Sequence, residues 1–118
     1  MIHAVCADLI FSSKIDGTAR ALGGKVRTFP SVARATAGAE PDVKLAILDL
    51  GAVKGLEQVA AWKAALPEGC ALMAFGSHVD VELLRAARAA GCEPVMARSE
   101  FTKRLPELLA AAIAPAEQ

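Results

Sequence analysis

The chain has 118 residues, a length typical of one domain, and 54% of them are hydrophobic, which excludes a disordered chain. Thirteen basic residues balance thirteen acidic ones, and the formal net charge of +0 argues against a general nucleic-acid-binding protein, which needs clustered positive charge. We therefore expect one globular domain over residues 1–118 that does not bind nucleic acid.

The three cysteines, Cys6, Cys70 and Cys92, show neither the paired spacing of a disulfide framework nor that of a metal centre. They are typical of reduced cytosolic thiols. The N-terminus carries no basic segment leading into a long apolar run, and no apolar run approaches membrane-spanning length. These features predict a cytoplasmic protein without membrane contact.

Five short segments are predicted as strands. Most are apolar throughout, which is typical of strands that are buried on both faces of a sheet. In chain order they cover residues 2–7, 25–29, 43–48, 70–75 and 94–97.

A helix-like segment follows each predicted strand. In chain order these segments cover residues 12–22, 31–38, 55–66, 77–90 and 102–113. Ser12 or Ser13 is predicted to cap the first helix, and Ser77 with Asp80 resembles a capping box for the fourth. Pro106 is expected near the first turn of the last helix, where a proline is tolerated. Residues 114–118 are expected to fray.

This alternation of strands and helices predicts the fold class. Strands that alternate with helices form a parallel sheet with right-handed crossovers and helices on both faces. The sequence therefore predicts a three-layer α/β/α fold around a five-stranded parallel sheet.

The carboxyl ends of the predicted strands bring a candidate site together. In such folds the strand ends near the switch point converge on one crevice. Asp8 follows strand 1, Asp49 ends strand 3, Gly76 and Ser77 follow strand 4, and Arg98 follows strand 5. Two carboxylates, a hydroxyl and a cation are thus expected to face one crevice.

Each of these residues also has a structural explanation. Asp8 can cap the first helix, and Ser77 can cap the fourth. Asp49 can be a structural carboxylate that is paired with Arg98. The sequence leaves both sets of roles open.

The order of these elements resembles the receiver domain of bacterial response regulators over essentially the whole chain. The resemblance rests on residues 47–50 (ILDL) followed by Gly55 and Leu56, on residues 86–92 (AARAAGC), and on a fifth strand that leads to a basic residue. It implies a flavodoxin-like (β/α)5 fold and a signalling role rather than an enzymatic one.

The resemblance also implies a role for each candidate residue. Asp49 stands where such domains accept a phosphoryl group from a histidine kinase. An acidic pair after strand 1 usually helps to hold Mg²⁺; here Asp8 follows an alanine, so Asp8 and Asp49 would form a weak Mg²⁺ site. Gly76 stands where a Ser or Thr is usual, with Ser77 next to it, and Arg98 stands where a Lys is usual.

These departures favour an atypical receiver-like domain that acts through protein–protein contacts without phosphorylation and without a required cofactor. One alternative is an orthodox phosphoacceptor that uses Asp49, Asp8 and Mg²⁺. Another is a flavodoxin-like binder of a nucleotide or flavin, although no Gly-rich phosphate loop follows a strand.

A signalling protein or a kinase is the expected partner. The resemblance places a partner face, or a homodimer face, on helix 4, strand 5 and helix 5. The charged residues expected on its exposed side are Arg85, Arg88, Glu100, Lys103, Arg104 and Glu107.

Overall fold

Five parallel strands form one sheet in the computed structural model of the chain, which describes residues 1–113. The strand order is β2-β1-β3-β4-β5, and each neighbouring pair is parallel. The strands are β1 (Ile2–Val5), β2 (Val26–Phe29), β3 (Leu45–Asp49), β4 (Ala71–Gly76) and β5 (Val95–Ala97). The predicted five-stranded parallel sheet is confirmed, whereas the prediction for residues 114–118 lies outside the described residues.

Helices cover both faces of this sheet, as the fold class requires. They are α1 (Leu9–Ala21), α2 (Val32–Ala37), α3 (Val59–Ala65), α4 (Val81–Ala89) and α5 (Arg98–Ile113), and a 3₁₀ turn (Leu50–Ala52) follows β3. The apolar sides of α1 and α5 share one core cluster, and those of α2, α3 and α4 share the other. None of these helices is long and apolar enough to cross a membrane within residues 1–113.

Strand β3 lies at the centre of the sheet, and all five of its residues are buried. Leu45 and Ile47 pack on the α1–α5 side, while Ala46 and Leu48 pack on the other side. This arrangement follows from the alternation of side chains along a strand. Helices cover both faces of the sheet here, so Asp49, the last residue of this apolar strand, is also buried.

Three phenylalanine rings fill the core beneath the carboxyl end of the sheet. Phe75 on β4 stacks on Phe101 of α5 at 4.3 Å between ring centroids. Phe11 of α1 meets Phe75 edge-on at 4.7 Å. Such aromatic pairs each add about 0.5–1.5 kcal/mol beyond the burial of their area, so α1, β4 and α5 are held together at this point.

Helix α1 begins three residues earlier than predicted. Asp8 is its N-cap, with Oδ1 accepting from the backbone N–H groups of Ile10 at 2.9 Å and Phe11 at 3.2 Å. The predicted cap at Ser12 or Ser13 is therefore wrong. The signal for this earlier start is Asp8, which the sequence offered as an alternative cap, although the first turn itself holds the apolar residues Leu9 and Ile10.

The predicted capping box of α4 is also wrong. Asp80 is the N-cap, and its side chain accepts from the backbone N–H of Leu83 at 3.4 Å. The hydroxyl of Ser77 instead accepts from the backbone N–H of Val79 at 3.4 Å within the preceding loop. This loop delays the helix to Val81.

Helix α5 begins at Arg98 and carries Pro106 in its interior, so the expected first-turn position of this proline is wrong. Pro106 has no backbone N–H to donate to the turn before it, and the helix loses one hydrogen bond there. The proline ring lies on the exposed side of the helix, away from the core. Arg98, the first residue of α5, directly follows the last residue of β5.

Candidate functional site

Asp49 is a buried carboxylate at the carboxyl end of β3. Its side chain is 3% exposed. Its Oδ1 accepts from the backbone N–H of Gly51 at 2.9 Å and so caps the 3₁₀ turn that follows. A Cβ at position 51 would lie 3.2 Å from this oxygen, so the glycine lets the turn close tightly on the carboxylate.

Arg98 is the cation that the structure places against Asp49. Its Nη2 lies 3.4 Å from Oδ1 of Asp49. The guanidinium also lies over the rings of Phe75, at 5.7 Å, and Phe11, at 5.9 Å. A cation at the first residue of a helix is opposed by the helix dipole, and the carboxylate offsets that cost. The structure thus contains the Asp49–Arg98 pair that the sequence offered as a structural explanation of Asp49.

Cys6 is the site residue that sequence reasoning missed. Its Sγ lies 3.5 Å from Oδ2 of Asp49 and 3.5 Å from the backbone carbonyl oxygen of Asp8. The first strand was predicted to continue to residue 7, and Cys6 was given no role at the site beyond that of a reduced thiol. The pairing of β1 with β3 could have revealed this contact. Val5 pairs with Leu48, so the next residue on each strand, Cys6 and Asp49, lie side by side.

The thiol of Cys6 is a neutral neighbour of Asp49. Burial raises its pKa to about 11, and the negative charge of Asp49 adds to that rise. A protonated thiol can donate to the carboxylate, whereas it is a poor nucleophile. The carboxylate of Asp49 therefore has three donors around it, from Cys6, Gly51 and Arg98.

In the contacts described for residues 1–113, the carboxylate of Asp8 and the residues Gly76 and Ser77 at the end of β4 do not touch Asp49. Asp8 is exposed, and its carboxylate is used by the first turn of α1. A Cβ at Gly76 would meet Leu50 at 3.2 Å, so a larger side chain there would displace the core. Ser77 is exposed and bonds within its own loop. Of the predicted crevice residues, the structure brings together Asp49 and Arg98.

The residues around Asp49 do not suit Mg²⁺, the ion that the resemblance to receiver domains implies. Mg²⁺ prefers an octahedron of oxygen ligands at about 2.0–2.1 Å. The groups that face Asp49 are a guanidinium, a thiol and a backbone N–H. Residues 1–113 hold no group of three or more His, Cys, Asp or Glu side chains that could bind a metal ion.

A second polar cluster lies near the other end of β1. The fully buried ring of His3 contacts Oε1 of Glu40 through Nε2 at 2.8 Å, and Arg27 reaches the same oxygen at 3.1 Å. The hydrogen bond from His3 and then the one from Arg27 lower the pKa of Glu40. The cluster ties β1 and β2 to the segment before β3, and it was not predicted from the sequence.

Comparison with known proteins identifies the fold. No protein-family model matches the chain, and no curated protein matches it. Among solved structures, it is similar to a response regulator receiver domain protein from Clostridium thermocellum, with a TM-score of 0.74, 18% identity, and coverage of 95% of this chain and 92% of that one.

Two further solved structures are similar to the chain. The pilus assembly protein CpaE from Caulobacter crescentus has a TM-score of 0.68 at 18% identity, over 97% of this chain and 93% of that one. A response regulator from Burkholderia pseudomallei with a phosphorylated aspartic acid has a TM-score of 0.68 at 15% identity, over 95% and 72%. The chain has the flavodoxin-like fold of receiver domains, as the sequence predicted.

Proposed function

We propose that this chain is an atypical receiver-like signalling domain in which Asp49 is held in a fixed ion pair and does not accept a phosphoryl group. The observation that carries the proposal is the state of Asp49, whose side chain is 3% exposed and whose oxygens face three donors. Phosphoryl transfer depends on positioning and on neutralisation of charge around the phosphoryl group. In this proposal, an acceptor that is buried and paired with a guanidinium is poorly placed to meet a phosphoryl donor.

Mg²⁺ is not needed in this proposal, because Arg98 already neutralises Asp49. A metal ion at Asp49 would have to displace the guanidinium or approach the face that Cys6 covers. The candidate pocket residues Asp8, Gly76 and Ser77 then have structural roles, as a helix cap, a close-packed strand end and a loop hydrogen bond.

The direct test is phosphorylation by a small donor. The purified chain is incubated with acetyl phosphate and Mg²⁺, and its intact mass is measured with Asp49→Asn as the control. The Burkholderia pseudomallei protein, which is known with a phosphorylated aspartic acid, serves as the positive control. We expect no added phosphoryl group. Stoichiometric addition that Asp49→Asn abolishes would establish the orthodox phosphoacceptor instead.

A companion variant tests why the pocket is weak. Cys6→Asp puts a carboxylate beside Oδ2 of Asp49 and supplies the oxygen ligands that Mg²⁺ prefers. We expect Mg²⁺ to raise the melting temperature of this variant and to leave the wild type unchanged. Cys70→Asp, at a half-buried cysteine that does not contact Asp49, is the matched control. An equal Mg²⁺ response in the wild type would contradict the proposal.

Signalling in this proposal takes place through contacts with another protein. Most of the charged residues that were predicted for the face on α4, β5 and α5 are exposed, and they carry both signs of charge, whereas β5 itself is largely buried. Several of these charges pair within the chain: Arg85 with Glu82, and Arg104 with Glu100 and Glu107. Exposed pairs of this kind contribute little free energy, so these charges stay available for recognition, and we assign the face to a protein partner of mixed charge.

A second candidate function is binding of a nucleotide or flavin. One observation favours it: a cavity of about 650 Å³ lies at the amino end of the sheet, away from Asp49, and carries Arg20, Lys25 and Arg27 on its lining. Its volume falls within the range of about 300–1,000 Å³ found for ligand sites. Arg20 already pairs with Asp16, and Arg27 with Glu40. Strong thermal stabilisation by a nucleotide or flavin would support this function.

A further inference from the structure

Strand β2 forms an open edge of the sheet. It pairs with β1 on one side and with no strand on the other side within residues 1–113. The backbone N–H of Ile2 donates to the carbonyl oxygen of Lys25 at 2.9 Å, so Lys25 faces β1. Residues of a parallel ladder face the two sides in alternation, so Arg27 also faces β1, while Val26 and Thr28 direct their N–H and C=O groups to the open edge. Thr28 is exposed and Val26 is partly exposed, so an extended chain can reach these groups.

A cavity lies on either side of this strand. One has a volume of about 650 Å³ and is lined by residues of β2 and α1, and the other has a volume of about 400 Å³ and is lined by residues of β2 and α2. The two helices pack on opposite faces of the sheet, and Arg27 lines both cavities. We call β2 with these two cavities the β2 edge surface. The charged residues that line it are Asp16, Arg20, Lys25, Arg27 and Arg34.

Cations outnumber carboxylates on the β2 edge surface. It carries four cations, and it carries two carboxylates when Glu40, which pairs with Arg27 at 3.1 Å, is counted. Asp16, the other carboxylate, pairs with an arginine of its own helix at 3.0 Å. Lys25 and Arg34 form no ion pair within residues 1–113. One uncompensated cation therefore lies on each side of the strand.

This charge selects the kind of chain that fits the edge. A second copy of β2 would place arginine and lysine opposite arginine and lysine, and like charges across a strand pair are destabilising. Nucleic acid matches the charge, but it lacks the alternating N–H and C=O groups that Val26 and Thr28 require. Asp42 and Lys44, the next charged residues along the chain, have opposite charges and line neither cavity. An extended peptide rich in Asp and Glu supplies both the charge and the backbone groups.

We propose that the β2 edge surface binds an acidic, extended segment of another protein, which joins the sheet as a further strand. The backbone of this segment pairs with Val26 and Thr28. Successive side chains of a strand point to opposite faces, so its carboxylates enter the two cavities and meet Lys25 on one side and Arg34 on the other. Strands β2 and β5 are opposite edges of the sheet, so this surface is separate from the face on α4, β5 and α5.

A synthetic peptide serves as the probe. It has about ten residues in which pairs of Glu alternate with pairs of Val, so that both faces of the strand carry carboxylates. Small interfaces of this kind are weak, so the labelled peptide is titrated with the chain up to about 500 µM and followed by fluorescence anisotropy. We expect saturable binding that weakens as salt rises from about 50 to 500 mM. A peptide with Lys in place of Glu should not bind.

A proline peptide separates strand addition from attraction between charges. Proline in place of every Val keeps the carboxylates and an extended backbone, but it removes N–H groups from both edges of the peptide. We expect this peptide to bind at least about fivefold more weakly than the probe, because hydrogen bonds to β2 are lost. The protein is unchanged in this comparison, so the result does not depend on the folding of a variant.

Charge reversal in the chain tests the two cavities. Lys25→Glu and Arg34→Glu should each weaken binding at least about fivefold, because each replaces an attraction with a repulsion. Neither side chain takes part in an ion pair within residues 1–113, and far-UV circular dichroism checks that both variants fold. Lys14→Glu is the matched control, at an exposed lysine of α1 that lines neither cavity, and it should leave binding unchanged.

Amide hydrogen exchange, measured by NMR, identifies the strand that pairs. Saturating probe should slow the exchange of the N–H groups of Val26 and Thr28 at least about tenfold, because a bound strand covers them. Their exchange should stay unchanged with the Lys-containing peptide.

The proposal is overturned if the probe does not bind up to the highest concentration, or if the proline peptide binds as tightly. It is also overturned if the amides of Val26 and Thr28 gain no protection, or if both charge reversals leave binding intact. Equal or tighter binding of a single-stranded RNA with the same number of charges would assign the surface to nucleic acid instead. None of these outcomes depends on Asp49, so this proposal and the proposed loss of phosphorylation can fail independently.

Discussion

Removing Arg98 should destabilise the fold because it leaves Asp49 as a buried carboxylate without a cation. Arg98→Met removes the guanidinium and keeps most of the aliphatic bulk that packs over Phe11 and Phe75. Asp49 then retains the N–H of Gly51 and the thiol of Cys6 as donors. Neither of these carries a charge that compensates for the one on the carboxylate.

The size of the effect follows from the geometry of the pair. Exposed pairs contribute about 0–1 kcal/mol, whereas breaking a fully buried pair costs about 3–5 kcal/mol. The Asp49 side chain is 3% exposed but that of Arg98 is 47% exposed, and their contact of 3.4 Å is long. We therefore expect Arg98→Met to lower the free energy of unfolding by about 1.5–2.5 kcal/mol, between the two limits.

A double-mutant cycle separates the pair from packing. Unfolding by urea, followed by the fluorescence of the buried Trp62, is measured for the wild type, Arg98→Met, Asp49→Asn and the double variant. A coupling energy of about 1 kcal/mol or more is expected for residues in direct contact. Arg104→Met is the matched control: its side chain is 41% exposed and pairs at the surface. It should change stability by less than about 0.5 kcal/mol.

Arg98 does not hold Asp49 in place if Arg98→Met lowers the free energy of unfolding by no more than Arg104→Met. The same conclusion follows if the coupling between Asp49 and Arg98 falls below about 0.5 kcal/mol, the scatter of additive changes. In either case Arg98 is a surface charge that lies near Asp49 without holding it.

Asp8→Ala should lower stability by about 1 kcal/mol through loss of the α1 cap, and it should leave the response of the melting temperature to Mg²⁺ unchanged. Because the pKa of Cys6 is raised to about 11, its alkylation at pH 8 should be at least about tenfold slower than in the unfolded chain. The measurement uses a variant whose other cysteines are serine, and Asp49→Asn should speed the reaction. The pKa of Glu40 is lowered from its usual 4.5, first by His3, so its carboxylate stabilises the fold above that pH and loses the effect as pH falls through the lower folded value. The difference in urea midpoint between wild type and Glu40→Gln should therefore shrink from pH 6 to about pH 3, and a difference that does not vary with pH would contradict this account.

The sheet was predictable because its strands are apolar runs, and a helical segment lies between each strand and the next. The convergence of Asp49 and Arg98 followed from parallel topology alone, since the carboxyl ends of parallel strands share one edge. Helix starts were less predictable: α1 begins with two exposed apolar residues, Leu9 and Ile10, and α5 continues through Pro106.

The prediction of β1 missed the contact between Cys6 and Asp49 because it placed the end of the strand two residues too late. A strand predicted to end at residue 7 hides the thiol, whereas β1 ends at Val5 and leaves Cys6 beside Asp49. Boundaries of this precision are set by tertiary packing and not by local propensity. The sequence offered a helix cap as one of two roles for Asp8, and its side chain caps α1 in the structure.

The three donors around Asp49 come from three different parts of the chain: the end of β1, the turn after β3 and the start of α5. The carboxylate therefore links these three segments through its hydrogen bonds and its ion pair. A substitution at Asp49 loosens all three at once, whether or not the residue is ever phosphorylated. Loss of activity in a cell that carries Asp49→Asn or Asp49→Ala would follow equally from weakened folding, so such a phenotype identifies a phosphorylation site only when the stability of the variant is measured beside it.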